Sequence, residues 1–122
     1  MKKAKTIWVM VADEAIARIL EWPTRGHELV PVEELTDPSA HAKGTEVNTD
    51  AVAQRLDERL REQRFDELRI AAAPRFLGLL RRHMTPQVAA VVSEDIAKDL
   101  IHESNRDLSD RLMADHLPEK SR

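Results

Sequence analysis

A short apolar run that meets a proline and turns at once into helical periodicity, Leu68–Arg82 (LRIAAAPRFLGLLRR), constrains this chain more than any other segment. Leu68–Ala73 reads as a strand and Pro74 opens a helix, because proline's fixed φ is helical and its missing N–H has no partner in a first turn. The helix is expected to run from Pro74 to about His83, with Phe76, Leu77 and Leu80 toward a sheet and Gly78 allowing close packing there. The N–H groups of Arg75, Phe76 and Leu77 would then leave the helix start without intrahelical acceptors. A strand feeding an arginine-bearing helix N-terminus fits an anion site. Because proline at a helix start is common, the favoured reading is a packed αβ junction in which Arg75 is a solvated cap or pairs with a carboxylate such as Asp99 or Glu67.

Around this junction the chain reads as a mixed α/β fold of about five strands, with an N-terminal antiparallel meander followed by strand–helix–strand–helix. Thr6–Ala12 is apolar on both alternating sets, as in a central strand covered on both faces. Asp13–Ala15 is a tight turn, Ala15–Trp22 a second strand, and Pro23-Thr24-Arg25-Gly26 a turn. His27–Leu35 is a third strand, which Pro31 assigns to a sheet edge. Thr36–Val47 is polar, aperiodic and broken by Pro38 and Gly44, so it is expected to be a mobile loop, with His41, Lys43 and Gly44 as candidate functional positions.

A helix capped by Asn48 or Thr49 follows, with Asp50 in its first turn and Val52, Leu56 and Leu60 on one face. Its arginines, Arg55, Arg59, Arg61 and Arg64, interleave with Asp57, Glu58 and Glu62 and read as a solvated, internally paired face rather than a basic patch. Thr85-Pro86 ends the second helix and opens a short helical turn through about Ala90. Val91–Ile96 is the fifth strand, with helix as the alternative over Gln87–Val92. Ser104 caps a last helix bearing Leu108, Leu112 and Leu117, with Asp107 and Arg111 as a supporting pair, and Pro118–Arg122 is a frayed tail.

Composition bounds the chemistry. The 122 residues form one domain, residues 1–122, with 42% hydrophobic and 34% charged residues and a net charge of -3, which argues against a general nucleic-acid binder. There is no cysteine, hence no disulfide or thiol chemistry. The apolar run near the start is too short for a membrane span, so a cytoplasmic location is expected. The five histidines, His27, His41, His83, His102 and His116, are scattered without metal-ligand spacing, and the three glycines form no phosphate loop. No serine sits in a nucleophile elbow. Among adjacent carboxylates, Asp13-Glu14 alone lies in a turn and is kept as an acid/base candidate. No cofactor, metal or catalytic residue is assigned.

WVMVADEAIARIL near the start, RFDELRIAAAPRFLGLLR in the middle and VVSEDIAKDLIH later resemble the bacterial host-attachment protein family, described as required for attachment to host cells. The resemblance covers Ile7 to about Leu117. AAAPRFLGLLR, followed by Lys98-Asp99-Leu100, is its most specific part. The order of elements is also similar to the middle domain of eukaryotic and archaeal class-1 peptide-chain release factors, and implies that α/β scaffold. In release factors the loop before the long helix carries Gly-Gly-Gln. The matching Thr36–Val47 segment contains neither Gly-Gly nor glutamine, so peptidyl-tRNA hydrolysis does not carry over.

Two binding functions remain open on the residues, beside a third, less favoured reading as an enzyme whose residues come together only in three dimensions. The chain is a binding module for the ribosome or structured RNA, with Arg75, Arg81, Arg82 and Lys98 on phosphates, or it is a protein-interaction homo-oligomer joined through its edge strand or last helix.

Overall fold

The computed structural model describes residues 5–13, 16–23, 28–36 and 49–114. Five strands, β1 (Ile7–Ala12), β2 (Ile16–Glu21), β3 (Val30–Thr36), β4 (Glu67–Ala72) and β5 (Val92–Ile96), form one mixed sheet in the order β3-β2-β1-β4-β5. β1 pairs antiparallel with β2 and parallel with β4, and β5 continues the parallel half beside β4. The helices are α1 (Thr49–Arg61), α2 (Pro74–His83), α3 (Pro86–Val91) and α4 (Asn105–Ala114). The expected mixed α/β architecture is therefore the observed one. β3 begins at Val30, three residues later than the expected start, and α3 takes Val91 from the start of β5.

β1 lies at the centre of the sheet, and its residues from Trp8 to Ala12 are all buried. The period of two sends Trp8, Met10 and Ala12 to one face and Val9 and Val11 to the other. The first face is covered by α1, α2 and α3 through Val52, Ala53, Leu56, Phe76, Leu77, Leu80 and Val88. Phe65 closes it by stacking on Trp8 with ring centroids 4.8 Å apart. The second face is covered by the 100–101 segment and α4 through Leu100, Ile101, Leu108 and Leu112. Pro31 sits on the outermost strand, as its missing donor requires, and the β2–β3 register shifts between Ile19 and Leu20 beside it.

The helix ends have identifiable local causes. Ser104 caps α4, its Oγ accepting from the Asp107 N–H at 3.0 Å. Arg111 reaches Glu103 rather than Asp107, because the preceding loop turns Glu103 back over the helix. Thr85 caps α3 by accepting from Val88 N–H. α1 ends in a Schellman arrangement, Arg64 N–H donating to Arg59 O and Gln63 N–H to Leu60 O, both at 2.9 Å. Gln63 holds the left-handed position there with φ 60°. The expected mobile loop, including His41, Lys43 and Gly44, falls on residues 37–48, which lie outside the described residues, as do Leu117 and the tail.

Candidate functional site

The β4–α2 junction forms as the sequence predicts, with Ala73 as N-cap and Pro74 in the first turn. One detail differs: Leu77 N–H donates to Ala73 O at 2.9 Å and closes the first helical ring, so it is not a donor for a ligand. Arg75 is exposed in the first turn. Arg75 is itself engaged within the chain; of the two carboxylates expected near it, Glu67 is held by Lys5, Arg69 and Ser93, and Asp99 accepts from Ile101 N–H.

Gly78 is the second correction. The expectation set it against the sheet, but it is exposed, and a Cβ built on it would meet nothing within 4 Å. The reason is angular. Phe76, Leu77 and Leu80 define the buried direction of α2, and at about 100° per residue Arg75, Gly78 and Arg82 fall together on the opposite side. Arg81, one position earlier than Arg82, is turned toward β5 and grips Asp95 with Nη2 at 2.7 Å and Nε at 3.3 Å. Arg82 is exposed on the outer ridge. Lys98, exposed just past β5, lies at the same end of the sheet as Arg75, because β4 and β5 run parallel. The four sequence-derived cations are thus placed apart: Arg75 and Arg82 on the outer side of α2, Arg81 on Asp95, and Lys98 at the strand ends.

The charge distribution around α2 sharpens this division. Among 22 acidic residues in the chain, none falls between Leu68 and Ser93, a stretch that includes Arg69, Arg75, Arg81, Arg82 and His83. The α1 arginines behave differently. Arg55 and Arg59 both pair with Glu33 of β3, Arg61 pairs with Asp57 at 2.7 Å, and Arg64 reaches Glu62. The hydrogen bond to Glu33 holds the Arg59 guanidinium above its ordinary pKa, against a smaller opposing effect of burial. This is the paired, solvated face the sequence implied, with Glu33 as an additional anchor that intrahelical spacing could not reveal.

Two other polar groupings organise the second face of the sheet. Glu67 is the hub of one. Burial pushes its carboxyl up, but hydrogen bonds from Ser93 and Lys5 and the nearby Arg69 outweigh that and hold it below the ordinary carboxylate range. Arg69 continues from Glu67 to lie over the Trp22 ring, 4.9 Å from its centroid. In the other, Arg18 of β2 donates to the carbonyls of Ile101 and Glu103, each at 2.8 Å, and to Asn105 Oδ1 at 2.5 Å. Arg18 thereby pins the loop before α4 at one side of an open cleft of about 610 Å³, which also exposes Glu34 and His102. Its guanidinium donates to this loop rather than standing ready for a ligand.

Asp13 holds the end of β1 against the start of β2. Its backbone N–H donates to Ile16 O, and its carboxylate accepts from Ile16 N–H, both at 3.0 Å. Among the described residues no group of three or more His, Cys, Asp or Glu is arranged to hold a metal ion. No helix among them is long and apolar enough to cross a membrane.

The fold is similar to known structures at low identity. Over 93% of this chain and 33% of its own, Pelota from Archaeoglobus fulgidus superposes with a TM-score of 0.58 at 14% identity. An archaeal protein superposes with a TM-score of 0.53 at 11% identity, over 94% of this chain and 38% of its own. The chain therefore spans about a third of the length of the solved structures it matches. No curated protein matches its sequence. Residues 50–112, from α1 through most of α4, match the family described as "Protein required for attachment to host cells". With more than half of its length matched, the chain belongs to that host-attachment family.

Proposed function

We propose that this protein is a non-catalytic binding module of the cytoplasm that docks onto structured RNA or the ribosome, its 122 residues acting as one unit. The observation that carries this reading is the outer face of α2, where exposed arginines stand on a segment free of acidic residues within a chain whose net charge is negative. Such segregation matters because phosphate binding depends on local potential, not on the sum over the chain. Arg75, Arg82 and Lys98 are the phosphate contacts in this reading, and Arg81 contributes through position rather than contact. The scaffold shared with Pelota is compatible with it, as is the resemblance to release-factor middle domains. The absence of Gly-Gly-Gln between Thr36 and Val47 separates it from their hydrolytic role. Attachment to host cells then depends on the protein at one remove.

Co-sedimentation of the purified protein with ribosomes across a salt series tests the reading. Binding that weakens steeply with salt, together with no peptide release from peptidyl-tRNA–ribosome complexes above a protein-free control, is expected. Protein that stays in the supernatant at low salt refutes it. A homo-oligomer is the second reading, favoured by Val30, 51% exposed on the edge strand β3. Analytical sedimentation showing a concentration-dependent dimer that Val30→Lys abolishes would put that reading first.

A further inference from the structure

We infer that the outer edge of β3, together with the open cleft beside it, is a docking site for an extended, cationic segment of a partner protein, which adds to the sheet as a further strand. The surface is separate from the outer face of α2, and its carboxylates are unsuited to phosphate, so the inference stands apart from the RNA reading.

β3 is the outermost strand of its side of the sheet. Alternate backbone N–H and C=O groups along it therefore face away from β2, with no strand beyond them among the described residues. Pro31 has no N–H to offer, so Val32–Thr36 is the stretch on which an incoming strand can pair. The cleft of about 610 Å³ opens on the second face of the same strand. Its apolar lining comes from Ile16 and Leu20 of β2, Pro31 of β3 and Ile101 before α4. On an added strand every second side chain would face that lining, so backbone pairing and side-chain pockets meet at one place.

The charges select the kind of strand that fits. Glu34 stands opposite Arg18 in the β2–β3 register, where a cross-strand ion pair would ordinarily form. Arg18 is committed instead to the carbonyls of Ile101 and Glu103 and to Asn105. Glu33 and Glu103, the other carboxylates at the cleft, are answered by Arg55, Arg59 and Arg111. Glu34 forms no ion pair among the described residues and is exposed at the cleft mouth. A lysine or arginine opposite Glu34, with apolar side chains two positions away over Ile16 and Leu20, completes both the charge and the apolar lining. A second copy of this chain is a poorer occupant. Its β3 would bring Glu33 and Glu34 alongside Glu34, and its β5 would bring Glu94 and Asp95. Like charges across paired strands are destabilising.

The test titrates the isotope-labelled full chain with the peptide Thr-Val-Thr-Lys-Thr-Val-Thr, whose valines and lysine share one face, and follows the backbone amides by NMR. Shifts are expected at Val32–Thr36 and at Ile16, Arg18 and Ile101 around the cleft, with binding that weakens as salt is raised. Exchanging the peptide's lysine for glutamate, or a threonine beside it for proline, should each weaken binding several-fold. Glu34→Lys is expected to melt like the wild type and to reverse the preference, taking the glutamate peptide over the lysine peptide. Glu34→Gln, which keeps the size of the side chain, should lose the discrimination. No shifts at millimolar peptide, shifts confined to other surfaces, or an unchanged preference in both Glu34 variants overturn the inference. Shifts along β3 that grow with protein concentration in the absence of peptide overturn it in favour of a second copy.

Discussion

Removing the Thr85 hydroxyl should cost more stability than removing the ion pair that shares its carboxylate. Asp57 is a 7% exposed carboxylate on α1 with two partners of opposite character. Arg61 Nη2 approaches it at 2.7 Å, but the Arg61 side chain is 77% exposed, so this pair is worth about 0.5 kcal/mol or less. The Thr85 hydroxyl donates to Asp57 Oδ1 at 3.0 Å from the turn between α2 and α3. The same Thr85 oxygen accepts from Val88 N–H and so caps α3. A hydrogen bond to a charged group contributes about 1.5–3 kcal/mol and a threonine cap about 1 kcal/mol. Thr85→Val, which keeps the shape and removes the hydroxyl, is therefore expected to lose ~2–3 kcal/mol, and Arg61→Ala no more than ~0.5 kcal/mol.

Urea denaturation of wild type, Thr85→Val, Asp57→Ala and the double variant provides the cycle that isolates the pair. The coupling energy should be at least ~1.5 kcal/mol, because Thr85→Val leaves the buried Asp57 carboxylate with only the exposed Arg61 as partner. Additive losses, or a larger loss from Arg61→Ala than from Thr85→Val, would refute the idea that a side-chain hydrogen bond ties α1 to the α2–α3 turn.

Gln63→Gly should stabilise the protein by about 0.5–1 kcal/mol, since a left-handed φ strains any L side chain more than it does glycine; a lower urea midpoint would contradict the Schellman assignment. Leu56→Ala and Leu80→Ala, both fully buried, should each lose ~2–5 kcal/mol, and a loss below ~1 kcal/mol at either would misplace the core face. Because the folded Glu67 carboxyl is held below its unfolded value of about 4.3, its stabilisation is complete above that pH and is lost as pH falls through the folded value. Wild type should accordingly lose stability more steeply than Glu67→Gln between roughly pH 5 and pH 2, and parallel curves would show that Glu67 does not carry the effect. Arg81→Ala should leave ribosome co-sedimentation nearly unchanged and lower stability by less than ~1 kcal/mol, the range for a half-exposed ion pair, with a several-fold binding loss counting against its structural assignment.

What could be read from the sequence is what depends on local pattern. The two-sided apolar run of β1 placed it at the centre, Pro31 placed β3 at an edge, and Pro74 marked the start of α2 to the residue. Ser104 declared a helix cap by type alone. The devices that fasten the elements together depend instead on partners distant in sequence. Arg18 meets the 101–105 segment more than eighty positions away, and Leu29 N–H donates to Ser109 Oγ at 2.7 Å across a similar separation. Glu33 gathers Arg55 and Arg59 only because β3 and α1 come together at the sheet edge. Gln63 escaped for a different reason, since left-handed C-caps are ordinarily announced by glycine.

The adjacent arginines Arg81 and Arg82 show why a list of basic residues is a poor guide to a site. In sequence they are equivalent, two cations at the end of one helix and both suited to its dipole. The helix turns about 100° between them, enough to carry Arg81 onto Asp95 of β5 and Arg82 onto the outer ridge with Arg75 and Gly78. The phase that separates them is set by Phe76, Leu77 and Leu80, whose burial fixes how α2 lies on the sheet. The apolar residues thus decide which cations face solvent. Shifting that phase by one residue would put Arg81 outward and turn Arg75 toward the sheet, separating the arginines without changing a single charge. The candidate RNA surface is in this sense a consequence of the core.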